Sequence, residues 1–244
     1  MEPLLSLNGV NRSFGALKVS DNITFDLAQG QALGIIGPNG AGKSTLFNLI
    51  GGALPPSSGV IRFDGRDVTT LSASERCRSG IARSFQIPHP FVGMTVYENL
   101  LAAASFGNSG FENLESACRD ILDRTGLLPK ANNPAGSLTL LERKRLELSR
   151  ALATGPKLLL LDEIAGGLTE GECLALVQTI KDIHASGVSI IWIEHIVHAL
   201  LAVVDHLIVI DFGKIVAEGE PKSVMADPLV QEIYMGISVD DDAA

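Results

Sequence analysis

Residues 32–50 read ALGIIGPNGAGKSTLFNLI: five apolar or small residues, a glycine-rich loop, a lysine, a serine and a helical pattern. Within it, Gly37-Pro38-Asn39-Gly40-Ala41-Gly42-Lys43-Ser44 fits GxxxxGK[ST] between a predicted strand and a predicted helix. In that setting successive backbone N–H groups can curve around a β-phosphate, and the glycines are read as positions where a side chain would collide with the nucleotide. Lys43 supplies a point charge for the β- and γ-phosphates, the Ser44 hydroxyl is a Mg²⁺ ligand, and the helix N-terminus adds partial positive charge. A glycine-rich turn that merely contains lysine needs no such flanks. The stretch predicts a chain that binds a nucleoside triphosphate.

The flanking sequence repeats the rhythm. Ile23, Phe25 and Leu27 alternate with polar neighbours as in a half-buried strand, and a Gln29-Gly30 turn precedes residue 32. Pro55 and Pro56 break the helix over 44–50, and residues 60–63 return to strand before Asp64-Gly65. Residues 71–133 read mainly as helices, with Leu114, Ala117, Cys118, Ile121 and Leu122 at helical spacing and a short strand over 81–85. After Pro134 and Gly136 a charged helix runs to Ala153. Strands over 158–161, 188–193 and 207–210 then alternate with a helix from about 171 to 185 and a short one, before the turn Asp211-Phe212-Gly213-Lys214. Continuous apolar strands between helices imply an α/β fold whose largely parallel sheet is covered on both faces.

Composition narrows the classes. The 244 residues are 46% hydrophobic and 19% charged, enough to bury about 70–75% of the unfolded surface, which excludes disorder and small disulfide scaffolds. A net charge of -9 disfavours nucleic acid as a partner. Cys77, Cys118 and Cys173 are odd in number and lack CxxC spacing, so they are read as reduced thiols in a cytoplasmic protein. The first residues lack the pattern of a secretory signal. The best apolar stretch, 196–212, carries His198, Asp205, His206 and Asp211, so membrane association is expected only through another protein. The acidic 240–242 reads as a solvated tail.

Further candidates lie where strands end. The run Leu158-Leu159-Leu160-Leu161 finishes in Asp162 and Glu163; alone it could be a core strand capped by solvated acids. Paired with the phosphate loop, Asp162 is read as the metal partner and Glu163 as the base that polarises an attacking water. His195 follows another apolar strand, at the sheet edge where ligands bind in open α/β folds. His198 and His206 lack that placement and are left as structural. Gln86, after the short strand, could reach metal or water through its amide.

The phosphate loop, Gln86, residues 138–150, Asp162-Glu163 and His195, in this order, resemble the ATP-binding subunit of an ABC transporter over essentially the whole chain. The resemblance implies one ATP-binding domain over 1–244. Its fold would be a RecA-like P-loop NTPase core with an N-terminal antiparallel β subdomain and a helical subdomain at about 87–150. It further implies ATP and Mg²⁺ as ligands, with Thr45 beside Ser44 in the nucleotide site and Gln86 among the metal-site residues. Phe14 would stack on adenine, Gln86 would couple the site to a membrane partner, and His195 would contact the γ-phosphate. Implied partners are a second ATP-binding subunit, transmembrane permease subunits and, indirectly, a solute-binding protein, with the chain peripheral on the cytoplasmic face of the membrane. The stretch RSFQIPHPFVGMTVYENLLAAASFG, with RKRLELSRAL and QEIYMG, is similar to the branched-chain amino-acid uptake subfamily.

Departures from the family pattern carry expectations too. The signature LSGGQ aligns with Leu138-Thr139-Leu140-Leu141-Glu142, in which Thr139 keeps a hydroxyl. Leu141 replaces a glycine that permits close backbone approach, and Glu142 puts negative charge near where a partner's triphosphate would lie. After Glu163 the chain reads Ile164 instead of proline and Gly166-Gly167-Leu168-Thr169 instead of SALD. The alternative class is a nucleotide-gated regulatory module with little turnover. A GTPase switch would carry an NKxD segment, which is absent, and a DNA or ribosome machine fits poorly with the acidic charge.

Overall fold

The computed structural model describes residues 2–107 and 110–235, in two sheets. Leu5–Phe14 (β1) and Leu17–Leu27 (β2) alternate buried with exposed side chains, as half-buried strands must, and form an antiparallel hairpin. Ser58–Phe63 (β4) and Arg66–Asp67 (β5) extend it into a sheet ordered β2-β1-β4-β5. The second sheet takes the continuous apolar runs Ala32–Ile36 (β3), Ile81–Arg83 (β6), Leu158–Asp162 (β7), Ser189–Ile193 (β8) and His206–Asp211 (β9), plus Lys214–Gly219 (β10). Its order is β10-β9-β3-β8-β7-β6, parallel except for the β9-β10 hairpin.

The Leu158–Leu161 run illustrates why such strands lack polar alternation. Leu158 and Leu160 join a buried cluster with the first sheet and Lys43–Ile50 (α1), while Leu159 and Leu161 join one with the helices of the other face. Those helices include Val96–Phe106 (α3), Leu114–Arg124 (α4), Leu140–Ala153 (α5) and Glu170–Ala185 (α6), whose buried Leu100, Leu122, Leu146 and Leu176 share one core. Ala73–Ser79 (α2) precedes β6, and Val197–Leu201 (α7), Pro221–Met225 (α8) and Pro228–Met235 (α9) follow the later strands. Thr95, Thr139 and Thr169 start α3, α5 and α6 with reciprocal capping boxes to Glu98, Glu142 and Glu172.

The structure alters several boundaries. The strand expected over 81–85 stops at Arg83: Ser84 still donates its N–H to the Leu160 carbonyl (2.9 Å), but Phe85 turns outward and is 52% exposed. β7 extends to Asp162, because that residue still pairs with Ile193. Cys77, Cys118 and Cys173 are free thiols. Residues 240–242 lie outside the described residues. Among the described residues no helix is long and apolar enough to cross a membrane. The register sets Ile35 and Asp162 both against Ile193, so β3, β7 and β8 end together, and the loops that follow them share one edge.

Candidate nucleotide site

At that edge the chain leaves β3 through Gly37 (φ 155) and enters α1 through Gly42 (φ 105). A Cβ at Gly37 would lie 2.0 Å from the Ile210 carbonyl oxygen, and one at Gly42 would lie 2.4 Å from that of Val19; at Gly40 nothing comes within 4 Å. Gly37 and Gly42 are therefore required by the close approach of the protein's own backbone, and only Gly40 faces open space. The protein's own backbone is thus a second reason for glycine at positions 37 and 42, beside the expected approach of a nucleotide. The loop is braced from outside: the Gly213 N–H donates to the Ala41 carbonyl (2.9 Å) and the Asp21 N–H to the Gly213 carbonyl (2.8 Å). Lys43 is buried, and its Nζ donates to the carbonyls of Gly37 (2.6 Å) and Pro38 (2.9 Å). Burial pushes its ammonium pKa down, and the carboxylates of Glu163 and Asp162 oppose that. Asn39, Gly40 and Ser44 are exposed, and Thr45 is half-buried in the first turn of α1.

Glu163 adopts the left-handed conformation (φ 47), with its N–H on the Ile193 carbonyl (2.9 Å). Backbone strain of this kind in a non-glycine residue persists only where its surroundings hold it. Both carboxylate oxygens are engaged: Oε1 lies 2.7 Å from His195 Nε2, and Oε2 accepts the Gln86 side-chain amide. The structure thus brings Gln86, Glu163 and His195 together, with Gln86 on the carboxylate. Asp162 is buried beside them, where Arg83 donates Nη2 to its Oδ2 (2.6 Å) and Nη1 to Asn48 Oδ1 (2.6 Å). Sequence reasoning missed Arg83, although it stands on the strand that leads to Gln86.

It also missed Glu194. This carboxylate is 1% exposed and accepts the N–H groups of Ala165 (3.0 Å) and His195 (3.0 Å), so it ties the loop after Glu163 to the histidine. Buried Lys144 on α5 is its nearby cation: burial lowers the ammonium pKa and Glu194 opposes. A carboxylate directly after an apolar strand, beside His195, was the available signal. His206, by contrast, pairs with Glu218 (3.0 Å) across the β9-β10 hairpin, in keeping with a structural role.

Phe14 ends β1, half exposed, with the Arg12 guanidinium 4.8 Å from its ring centre. Thr139 caps α5. At that helix start Leu141, aligned with the second glycine of the signature, packs against the helical core. The Glu142 carboxylate turns back onto the Thr139 N–H (2.9 Å) and pairs with Lys130, so it does not stand as an isolated negative charge. The outward side chain is Leu140, which meets the Gly166-Gly167 loop and, with Lys144, Gln86 and Glu163, lines one shallow pocket.

Residues 20–166 match the ABC transporter family. The chain belongs to that family. It is 33% identical to the high-affinity branched-chain amino acid transport ATP-binding protein BraF of Pseudomonas aeruginosa, across 96% of this chain and 98% of that one. It is 34% identical to LivG, of the same description, from Escherichia coli K12, again across 96% and 98%. Among solved structures, an ATP-binding cassette of an ABC transporter in its ADP conformation superposes with a TM-score of 0.88 at 33% identity, covering 97% of this chain and 100% of that one. A nucleotide-free ABC cassette gives 0.86 at 33% identity, over 96% and 100%. As an ABC ATP-binding cassette the chain binds nucleotide and is an ATPase. Its phosphate loop and the Glu163-His195-Gln86 cluster share the sheet edge where an α/β fold holds its ligand.

Proposed function

We propose that this ABC chain hydrolyses ATP as one half of a two-cassette dimer that powers the import of branched-chain amino acids or related small polar solutes. Permease subunits in the cell membrane would carry the solute, supplied by a solute-binding protein, with the cassette on the cytoplasmic face. The observation that carries the catalytic part is the Glu163 carboxylate, held at one oxygen by His195 and at the other by Gln86. A carboxylate so oriented can take a proton from water, and His195 and Gln86 are the groups that would exchange it for the γ-phosphate and the attacking water. Lys43, resting on two carbonyls of its own loop, would transfer its donors to phosphate oxygens. Phe14, beside the hairpin that braces the loop, would stack on adenine.

The residues fit Mg²⁺. Ser44 offers an exposed hydroxyl at the start of α1, and Asp162 has an oxygen, Oδ1, that Arg83 leaves free. The ion would neutralise charge between the β- and γ-phosphates. Gln86, expected in the metal set, reads better as the link between Glu163 and the permease side. It follows Arg83 and Phe85, which line a cleft of about 540 Å³ between α1, α2 and β6 on one side and α3 and α5 on the other. Phe91 and Phe106, the latter 82% exposed, flank it and give a permease segment apolar surface to cover. The solute class rests on the names of relatives matched over nearly their whole length.

The test is steady-state ATP hydrolysis against protein concentration. Turnover should rise faster than linearly as dimers form, and Glu163→Gln should lower it by roughly 10²–10⁴ while ATP still binds. Turnover unchanged by Glu163→Gln would remove the base. Tight ATP binding with negligible turnover by the parent would favour the regulatory module or an obligatory second subunit.

A further inference from the structure

We infer that Lys130 is a positioning residue for the half-site that this chain lends to a second cassette, cancelling the charge of Glu142 so that the start of α5 can face a triphosphate. The inference rests on the dimer reading above. Thr139 and Leu140 are exposed at that helix start, so it is accessible to a second copy. An N-terminus of this kind attracts anions, but a carboxylate one turn in competes with them.

Here the carboxylate is occupied on both oxygens. Oε2 accepts the Thr139 N–H at 2.9 Å, which satisfies the helix start, and Oε1 is paired with Lys130. Lys130 comes from outside α5. It ends the short 3-10 turn Leu128–Lys130, whose backbone is held by Lys130 N–H to Leu127 O (2.9 Å) and Asn133 N–H to Lys130 O (2.9 Å). The pair is half open, at 41% exposure for Lys130 and 19% for Glu142, so its net charge acts on whatever docks above it. The hydrogen bond from Lys130 is the leading cause that holds the Glu142 carboxyl pKa below its ordinary value. Arg143, the other cation of this turn, is committed elsewhere: it donates to the carbonyls of Leu138 (2.9 Å) and Gly136 (3.0 Å). With Lys130 present the pair sums to zero and the helix dipole is left to attract phosphate. Without it a bare carboxylate would meet a polyanion.

The experiment uses the full chain in a Glu163→Gln background, where ATP closes dimers without consuming them, and reads dimer dissociation by sedimentation. Lys130→Ala should weaken the ATP-dependent dimer by roughly tenfold, because like charges then face one another. Adding Glu142→Gln should restore it, and Lys130→Arg should preserve it. Thermal midpoints and ATP affinity at low protein concentration establish that each variant folds and loads its own loop. A Lys130→Ala dimer as tight as the parent's, or a loss that Glu142→Gln does not repair, overturns the role of Lys130 alone. A parent that binds ATP yet stays monomeric overturns the self-pairing reading and this inference with it.

Discussion

Glu163 gains its geometry from residues far away in sequence. Its left-handed backbone is held by the Ile193 carbonyl, its side chain by Gln86 and His195, and the loop that follows it by Glu194. Glu194 accepts backbone N–H groups of Ala165 and His195 and acts on the site through them, as a positioning residue. Glu194→Gln should leave ATP affinity near the parent's while lowering kcat by roughly tenfold, the rate equivalent of one buried hydrogen bond of about 1–3 kcal/mol. Single-turnover rates beside equilibrium ATP binding would measure the split; an unchanged kcat would reduce Glu194 to a structural tie. Lys43, Glu163 and His195 were legible because their residue types recur in a known order beside apolar strands. Arg83 and Glu194 were missed: Glu194 follows an apolar strand as Glu163 does, but what either charge pairs with is set only when the sheet is assembled.

The elements near the site are short and depend on groups from outside them. α1 has eight residues, with no basic side chain in its last turn, and no such helix is stable alone. Its C-terminal carbonyls of Leu49 and Ile50 are taken by fully buried Arg76 of α2 (2.6 and 2.8 Å), which also donates to Thr69 (3.0 Å) and Leu71 (3.2 Å). Burial pushes the Arg76 guanidinium down to about 10, still charged at neutral pH. Arg76→Met strands those buried acceptors and should destabilise the fold by about 3 kcal/mol. For a chain of this length that lowers the thermal midpoint by roughly 6–12 °C in a calorimetric scan. A shift within 2 °C would mean that water replaces the guanidinium. The helices were legible in sequence as apolar spacing, whereas their capping boxes emerged only in the structure; β6 was read two residues too long, since the outward turn of Phe85 is set by the cleft it borders.

Two cores, one on each face of the second sheet, underlie both the nucleotide edge and the cleft between α1, α2 and β6 on one side and α3 and α5 on the other. Glu147 lies in that cleft on α5, paired with Arg150 at 3.0 Å. Burial raises its pKa, and Arg150 opposes this only in part. A carboxyl whose folded pKa is raised binds its proton more tightly in the native state, so stability falls as pH rises from the unfolded carboxyl range through the folded value and then levels off. Glu147→Gln removes that loss. The variant should melt higher than the parent at pH 7–8, with the advantage gone near pH 4, as read by thermal midpoints across that range. A variant that melts lower at pH 8 would mean that the Arg150 pair outweighs the desolvation.

The sequence by itself determined that this chain is an α/β nucleotide-binding protein, with its phosphate loop, carboxylate pair and histidine at strand ends. Those facts are local: spacing, residue type and apolar runs encode them. The tertiary structure alone decided what each of these groups meets. Gly37 and Gly42 serve contacts with Ile210 and Val19. Glu142 is neutralised by a lysine twelve residues away, and the strand bearing Arg83 is brought beside Asp162 by parallel pairing across 79 positions. Backbone clearance and charge compensation depend on distances in space, and no pattern along one chain carries them.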